Sequence, residues 1–455
     1  MDTSTSTATL PWRARPFAEL VRLAWPIAVS QLSFSLMTAV DTLFVGRLGA
    51  APLAGVAIGG IATFTLACFG IGTLRATKIT VAHAAGAGDD AATHAYLGAS
   101  LHVALGLGLA TALVGQALAQ FLPALTSSAE SGHAAATFTS VRLLGAPILM
   151  CTIALRETRH AIGDARTPMF AAVFANLVNA GLVSLFMLQF HAGIAGVAWA
   201  TTLAQGIELL SLAALQRERG FGLAAWTGHE LRRLLRLGIP LGIERFFDVA
   251  SLSVMVAMFA RMGDRDLAAH QVTNQVMLFA FMPSIAIGEA NCVLIGQAVG
   301  AACMRAIPQV QRAALVASYL YVAACSATLL CFGPQIAGIF TRDPGVVTQA
   351  LGLFQVGAVL IWALPLYQIG QSSLRGMGDV RVAAWIAVGA AWVCTPLLAA
   401  VLGFGFGMGA RGGWIGLGTE IALAAGLFWW RLRGRRGAWL REASATRSSF
   451  RVGVA

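Results

Sequence analysis

Apolar runs of membrane-spanning length recur along the whole chain, near residues 20–46, 52–76, 94–122, 135–156, 168–189, 194–215, 234–260, 267–298, 311–333, 347–373, 382–404 and 413–430. Only helices and closed barrels satisfy every backbone polar group in lipid, and runs of this length are helical. The pattern therefore predicts an all-α integral membrane protein with twelve transmembrane helices. Inside the first run, Gln31, Ser35, Thr38 and the pair Asp41/Thr42 recur every three or four residues. On a helix these positions form one polar stripe, which is expected to line a cavity rather than face acyl chains. Asp41 matters most, because a carboxylate in hydrocarbon costs several kcal/mol unless it meets water, a partner or a cation. The competing reading makes it a helix–helix hydrogen-bond partner or an end residue reaching outward.

The chain also repeats itself. Trp25-Pro26 in the first run matches Ile239-Pro240 in the seventh, at an offset of 214 in the numbering. At the same offset Val45-Gly-Arg-Leu-Gly49 matches Phe259-Ala-Arg-Met-Gly263, and His83-Ala-Ala-Gly86 matches Gln297-Ala-Val-Gly300. At 215, Gly163-Asp164-Ala-Arg166 matches Gly378-Asp379-Val-Arg381, and Trp199 matches Trp414. Two homologous halves of six spans each keep the same orientation, so they are expected as parallel lobes related by a pseudo-twofold along the membrane normal. The expected organisation is a polar N-terminal tail (1–16), an N-lobe (17–215), a charged cytoplasmic linker (216–233), a C-lobe (234–430) and a basic C-terminal tail (431–455).

Composition agrees: 57% of residues are hydrophobic and 11% charged, which excludes an ordinary soluble domain. The net charge of +11 invites a nucleic-acid partner, but its distribution argues against one. With both termini inside, 24 Lys and Arg fall on the cytoplasmic side and 5 on the other, while Arg142 and Arg245 stay within spans. That is the positive-inside asymmetry of a multi-pass protein of a cytoplasmic (inner) membrane, its basic tail resting on the bilayer surface. The seven cysteines lie in or beside apolar runs without metal or disulfide spacing, and no bound cofactor or metal is expected.

The residues from Asp41-Thr-Leu-Phe-Val-Gly46 through Leu53-Ala54 resemble the signature of multidrug and toxic compound extrusion (MATE) transporters. So do Ile162-Gly-Asp-Ala-Arg-Thr-Pro168 followed by Asn176 and Asn179, and Gly193-x2-Gly196 leading to Trp199-Ala-Thr201. In the second half Gly238-Ile-Pro-Leu-Gly-Ile-Glu-Arg-Phe-Phe-Asp-Val249, Ala269-His-Gln-Val272, Leu294 to Ala301 and Ser373 to Asp379 continue the likeness. It covers about 17–430 in register. The resemblance implies an antiporter, with no enzyme activity, in which inward flow of protons or sodium ions drives export of amphiphilic, mostly cationic organic compounds. A monomer is expected.

The resemblance places Asp41 on the family's first-helix aspartate. Asn176 and Asn179, three apart, share a face and are expected to orient that carboxylate through their amides. Val183 departs from the pattern, since many proton-coupled relatives carry a second acid there. In the C-lobe, Glu244 and Asp248 sit four residues apart with Ser251 next on the stripe, and Asp248 matches a family acid. Two adjacent carboxylates in low dielectric hold a proton or share a cation, whereas Arg245 offers a static ion-pair cluster instead. The tenth span offers Tyr367, Gln368 and Gln371 but no acid, where sodium-binding relatives usually have one. Carboxylates and amides without a dense oxygen cage favour protons over sodium. Gln31, Thr38, Ser251, Gln271, Asn274, Tyr367 and Gln368 are the candidate cavity residues, and Pro26 the candidate hinge.

Gly407-Met-Gly-Ala-Arg-Gly412 fits a nucleotide-loop spacing without the strand–helix unit that would support it, and is expected to be a turn. Two rival functions follow from the residues. A flippase for lipid-linked precursors needs a strongly cationic cavity, and the candidates here are acidic. A polytopic membrane enzyme needs a His/Asp or Ser/Lys constellation near one surface, which the spacing does not supply.

Overall fold

The computed structural model describes residues 10–126 and 128–452, the side chains of 11, 125 and 435–452 excepted. Residues 1–9 of the expected N-terminal tail and the basic side chains from Arg435 onward lie outside the described residues.

Among the described residues there are fourteen α-helices: α1 (Pro16–Gly46), α2 (Ala50–Ala87), α3 (Asp90–Ala119), α4 (Ala129–Leu144), α5 (Ala146–Ala161), α6 (Arg166–Leu188), α7 (Gly193–Arg217), α8 (Gly228–Met262), α9 (Asp264–Gly300), α10 (Ile307–Phe340), α11 (Pro344–Leu360), α12 (Leu364–Gly376), α13 (Val380–Leu398) and α14 (Ala410–Val452). Among the described residues there is no strand. Nine helical segments among them are long and apolar enough to cross a membrane, and the bent pair α4–α5 makes a tenth. The other two spans are α8, charged mid-helix by Glu244, Arg245 and Asp248, and α14, which carries Glu420. Twelve spans result, in two halves of six. Large apolar side chains such as Leu36, Leu113 and Ile339 are exposed, which a lipid-facing helix allows.

Three spans are less regular than their apolar runs imply. The fourth bends by 48° between α4 and α5. Gly145 sits at that bend against Thr202, where a Cβ would meet the Thr202 methyl at 2.7 Å. The tenth span is broken between α11 and α12 by one 3-10 turn, Ile361–Ala363. The eleventh passes, just after Pro396, from α13 into a π-helix over Ala399–Gly405.

The repeat is visible in the backbone. Gly163 and Gly378 turn the chain with φ of 88° and 83°, left-handed values that favour glycine. The aspartate after each is tied by an arginine. Arg159 reaches Asp164 at 3.2 Å and the Leu215 carbonyl at 2.6 Å, while Arg431 on α14 reaches Asp379 at 2.9 Å. Both ties fasten the turn before a half's fifth span to the end of its sixth, with the arginine supplied by a different helix each time.

Contacts divide the chain into two compact units. One contains Pro26–Ala85 and Asp89–Phe246; the other contains the described residues up to Trp25, Gly86–Gly88 and those from Phe247 on. These borders differ from the halves drawn on the sequence, because α1 and α8 each contribute their opening turns to the unit of the other half. Trp12, buried at 7% exposure, donates to Gln297 Oε1 at 2.8 Å in one unit. In the other, Gly72 of α2 packs on Leu241 and Gly242 of α8. That unit also holds Lys78 and Glu157, paired at 2.6 Å with both side chains nearly inaccessible. Lys78 is thus an interior cation, although the positive-inside tally counts it with the cytoplasmic ones.

Candidate ion-coupling site

Asp41 lies five residues before the end of α1, half-buried, in the unit built from Pro26–Ala85 and Asp89–Phe246. Two other helices supply its partners. Asn179 of α6, fully buried, donates its amide to Asp41 Oδ1 at 2.8 Å. Thr201 of α7 lies 3.1 Å from Asp41 Oδ2 and 3.0 Å from the carbonyl of Val197. The Asn179 carbonyl oxygen is buried without a partner. An amide donor fits the carboxylate, and the idle amide oxygen is an acceptor in reserve for a carboxylic acid.

Arg142 of α4 completes the cluster. Its guanidinium donates to Gln205 Oε1 at 3.2 Å and to Thr202 Oγ1 at 3.5 Å, and its charge acts on Asp41. Helix α7 therefore positions both charges, the acid through Thr201 and the base through Thr202 and Gln205, one turn on. The one available signal for Arg142 was an arginine left inside an apolar run. Glu208, farther along α7, is half-buried and feels the charge of Arg156.

Asn176 goes elsewhere, donating to the Ser33 hydroxyl about two turns earlier on α1. Three residues rise about 4.5 Å along a helix, so a shared face does not bring both amides to one carboxylate. Val183 joins Val45, Val197 and Ala200 in a buried apolar cluster, which accounts for the missing second acid. The stripe on α1 behaves differently from its expected role. Ser35, Thr38 and Thr42 bond the carbonyls of Gln31, Phe34 and Thr38, four residues back. Hydroxyls that satisfy themselves on their own helix need no polar cavity. Gln31 does, since its Oε1 is buried without a partner.

The residues expected in the second half have different surroundings. Glu244 is buried at 1% exposure, Asp248 is half-buried, and the Arg245 guanidinium lies over the Phe64 ring, 5.6 Å from its centroid. Ser251 is not a cavity hydroxyl: it is buried and bonds the Ala391 carbonyl of α13 at 3.4 Å. Gln271 is exposed, and Asn274 half-buried. Tyr367 accepts from Gln371 at 3.3 Å and packs its ring on Phe428. Gln368 lies beside Gly288 of α9. Pro26 sits inside an unbroken α1, with the Ser30 hydroxyl bonding its carbonyl at 2.9 Å. Gly407 and Gly409 form a left-handed turn closed by Ala410 N–H to Asp266 at 2.7 Å, with no phosphate cradle.

Twelve spans, with a charged polar cluster held inside one of the two units, are the architecture a membrane transporter requires. The sequence profile of the MatE family matches residues 26–185 and 240–401, and the chain belongs to that family. It is similar to the probable multidrug resistance protein NorM of Deinococcus radiodurans, 32% identical over 441 residues covering 92% of this chain and 96% of the relative. The NorM protein of Acinetobacter baylyi, also a probable multidrug resistance protein, is 29% identical over 428 residues, 91% of this chain and 95% of the relative. A MATE protein solved in its bent conformation shares the fold with a TM-score of 0.89 at 21% identity, covering 97% and 99% of the two chains.

Proposed function

We propose that this protein is a proton-coupled multidrug antiporter of the inner membrane. It exports amphiphilic, mostly cationic organic compounds by alternating access, with both termini cytoplasmic. The observation that carries this reading is the set of hydrogen-bond options around Asp41. As a carboxylate it receives Asn179 N–H and Thr201 O–H. As an acid it has an acceptor in Asn179 Oδ1 after an amide flip, or in Thr201 Oγ1 once that hydroxyl turns to Val197. Both protonation states are served without moving a helix.

Sodium is less well served. A hard cation wants several oxygens, and even with the amide flipped Asn179 and Thr201 add only one side-chain oxygen each to the carboxylate. Pro26 deletes one backbone hydrogen bond in α1, several turns before Asp41, which makes it the natural hinge for a response to protonation. The named relatives, as probable multidrug resistance proteins, support the substrate class.

The test is efflux of ethidium from reconstituted vesicles under a pH gradient or a sodium gradient, for the wild type and Asp41→Asn. Efflux driven by pH alone and absent in the mutant is the expected result. Efflux driven by sodium alone overturns the choice of ion, and Asp41→Asn efflux with unchanged pH dependence overturns the site.

A further inference from the structure

One buried acid takes no part in the Asp41 cluster. Glu420 sits on α14 and accepts a hydrogen bond from the Thr395 hydroxyl of α13. Thr395 is completely buried, and the Cys394 thiol beside it feels the Glu420 charge. We propose that Glu420 and Thr395 form a second proton-binding site, inside the unit that holds the second half of the chain. The inference rests on the reading of this protein as an ion-coupled carrier and adds a coupling group to it.

Depth comes first. Near the start of α14, Ala410 N–H is tied to Asp266; near its other end Arg431 is paired with Asp379. Glu420 lies ten residues from one tie and eleven from the other, or about 15 Å each way along a helix. The hydrocarbon core of a bilayer is about 30 Å thick, so this carboxyl stands near its middle.

Charge comes second. Among the described residues no lysine or arginine pairs with Glu420. On the α-helices packed against α14, α13 carries Arg381 and Cys394, α12 carries Tyr367 and Arg375, α9 carries Asp264, Arg265, Asp266, His270, Glu289 and Cys292, and α11 carries no titratable group. His270 is spent between the Phe259 and Trp414 rings, and Arg375 belongs to a helix end. An unpaired carboxylate at that depth is expensive, and a proton is the simplest occupant that removes the cost. Uptake forms an O–H bond on Glu420, and release returns the charge with Thr395 as its donor.

The internal repeat supplies an independent observation. At the repeat offset of 215, Glu420 corresponds to Gln205, and Thr395 to Ala180, the neighbour of Asn179. In the first half, α6 and α7 hold an acid delivered by α1. In the second, the position equivalent to Asp41 is Met255, buried and apolar, and α13 and α14 carry acid and donor themselves. The stretch corresponding to Arg142 reads Gln355-Val356-Gly357, with no base. The acid has changed helices between the halves and lost its counter-ion. The π-helix over Ala399–Gly405 begins one turn beyond Thr395, and such turns recur at functional sites.

The experiment counts protons. Purified full-length protein in weakly buffered detergent receives ethidium while a pH dye records release, for wild type, Asp41→Asn, Glu420→Gln and the double variant. Each single variant is expected to release about half the protons per bound ethidium and the double variant none, as linkage at two sites requires. Wild-type release from a folded Glu420→Gln protein, with Asp41→Asn reduced, overturns this proposal and leaves the antiporter reading intact. No release from the wild type overturns both. Thr395→Val keeps the acid and removes its donor; it is expected to move the pH midpoint of the release that remains in Asp41→Asn, and an unmoved midpoint counts against the site.

Discussion

Thr201 Oγ1 stands 3.1 Å from Asp41 Oδ2 and 3.0 Å from the carbonyl of Val197, two acceptors for one hydroxyl proton. The proton points to Asp41 when that group is a carboxylate and back to Val197 when it is an acid. The hydroxyl therefore follows the charge at no cost in unmade hydrogen bonds. Thr201→Val keeps the shape and removes this option. A hydrogen bond to a charged group contributes about 1.5–3 kcal/mol, so transport driven by a pH gradient is expected to fall roughly 10- to 100-fold. Thr201→Ser, which keeps the hydroxyl, is expected to stay within a few-fold of wild type. Initial rates of ethidium efflux measure both, and a Val variant as active as the Ser variant would remove Thr201 from the coupling site.

Arg142 and Asp41 are expected to behave as a unit, because α7 fixes both through adjacent residues, Thr201 and Thr202. Neutralising either one leaves the other charge without compensation, whereas neutralising both leaves a polar but uncharged cluster. Asp41→Asn and Arg142→Gln should each lower the melting temperature in detergent by more than the double variant does. The double-mutant cycle should return a coupling of about 0.5–3 kcal/mol. Strict additivity would mean that Arg142 is held by Gln205 alone and has no bearing on the acid.

Features that depend on one helix at a time were legible in the sequence. Span length is a local property, so twelve runs predict twelve spans; the repeat is linear, so Gly163 and Gly378 are found at nearly equal φ. Asp41 and Asn179 were legible for the same reason: each is a polar residue that lipid would not tolerate alone. Contacts between helices were not legible, because rotation and register of neighbours are absent from the spacing within either one. Asn176 shares a face with Asn179 yet meets Ser33. Ser251 continues the stripe of Glu244 and Asp248 yet turns to α13. Lys78 looked like a surface cation because its partner Glu157 is distant in the chain, on another helix. Glu420 passed unnoticed in the last apolar run, although a lone acid there carries the same signal that singled out Asp41.

The Lys78–Glu157 pair is expected to support the structure around α2 and α5. Its side chains are 3% and 10% exposed, so removing one partner strands a buried charge. Lys78→Met is expected to cost about 3–5 kcal/mol, while Lys78→Met with Glu157→Leu recovers much of that loss. Thermal unfolding of the two variants in one detergent decides it. A single variant as stable as wild type would place water at the pair.

A different carboxylate fixes the start of α8, on the linker side of the membrane. Thr227 and Glu230 form a capping box: Glu230 Oε2 accepts from the Thr227 N–H at 2.8 Å, and Thr227 Oγ1 accepts from the His229 N–H at 3.3 Å. The Thr227 hydroxyl, bonded to the same carboxylate, is the main cause that holds Glu230 down at about 2, against an ordinary 4.5. A carboxyl lowered on folding contributes stability that is complete above its unfolded value and disappears as pH falls through its folded one. The contribution is thus fully present at neutral pH and lost between 4.5 and about 2. Glu230→Gln is expected to speed amide exchange over residues 228–232, with little effect on ethidium transport. The difference from wild type should be constant above pH about 5.5 and vanish only below pH about 2, once Glu230 is protonated in the folded state as well. No difference at any pH would mean that the Thr227 hydroxyl, rather than the charge of Glu230, closes the helix.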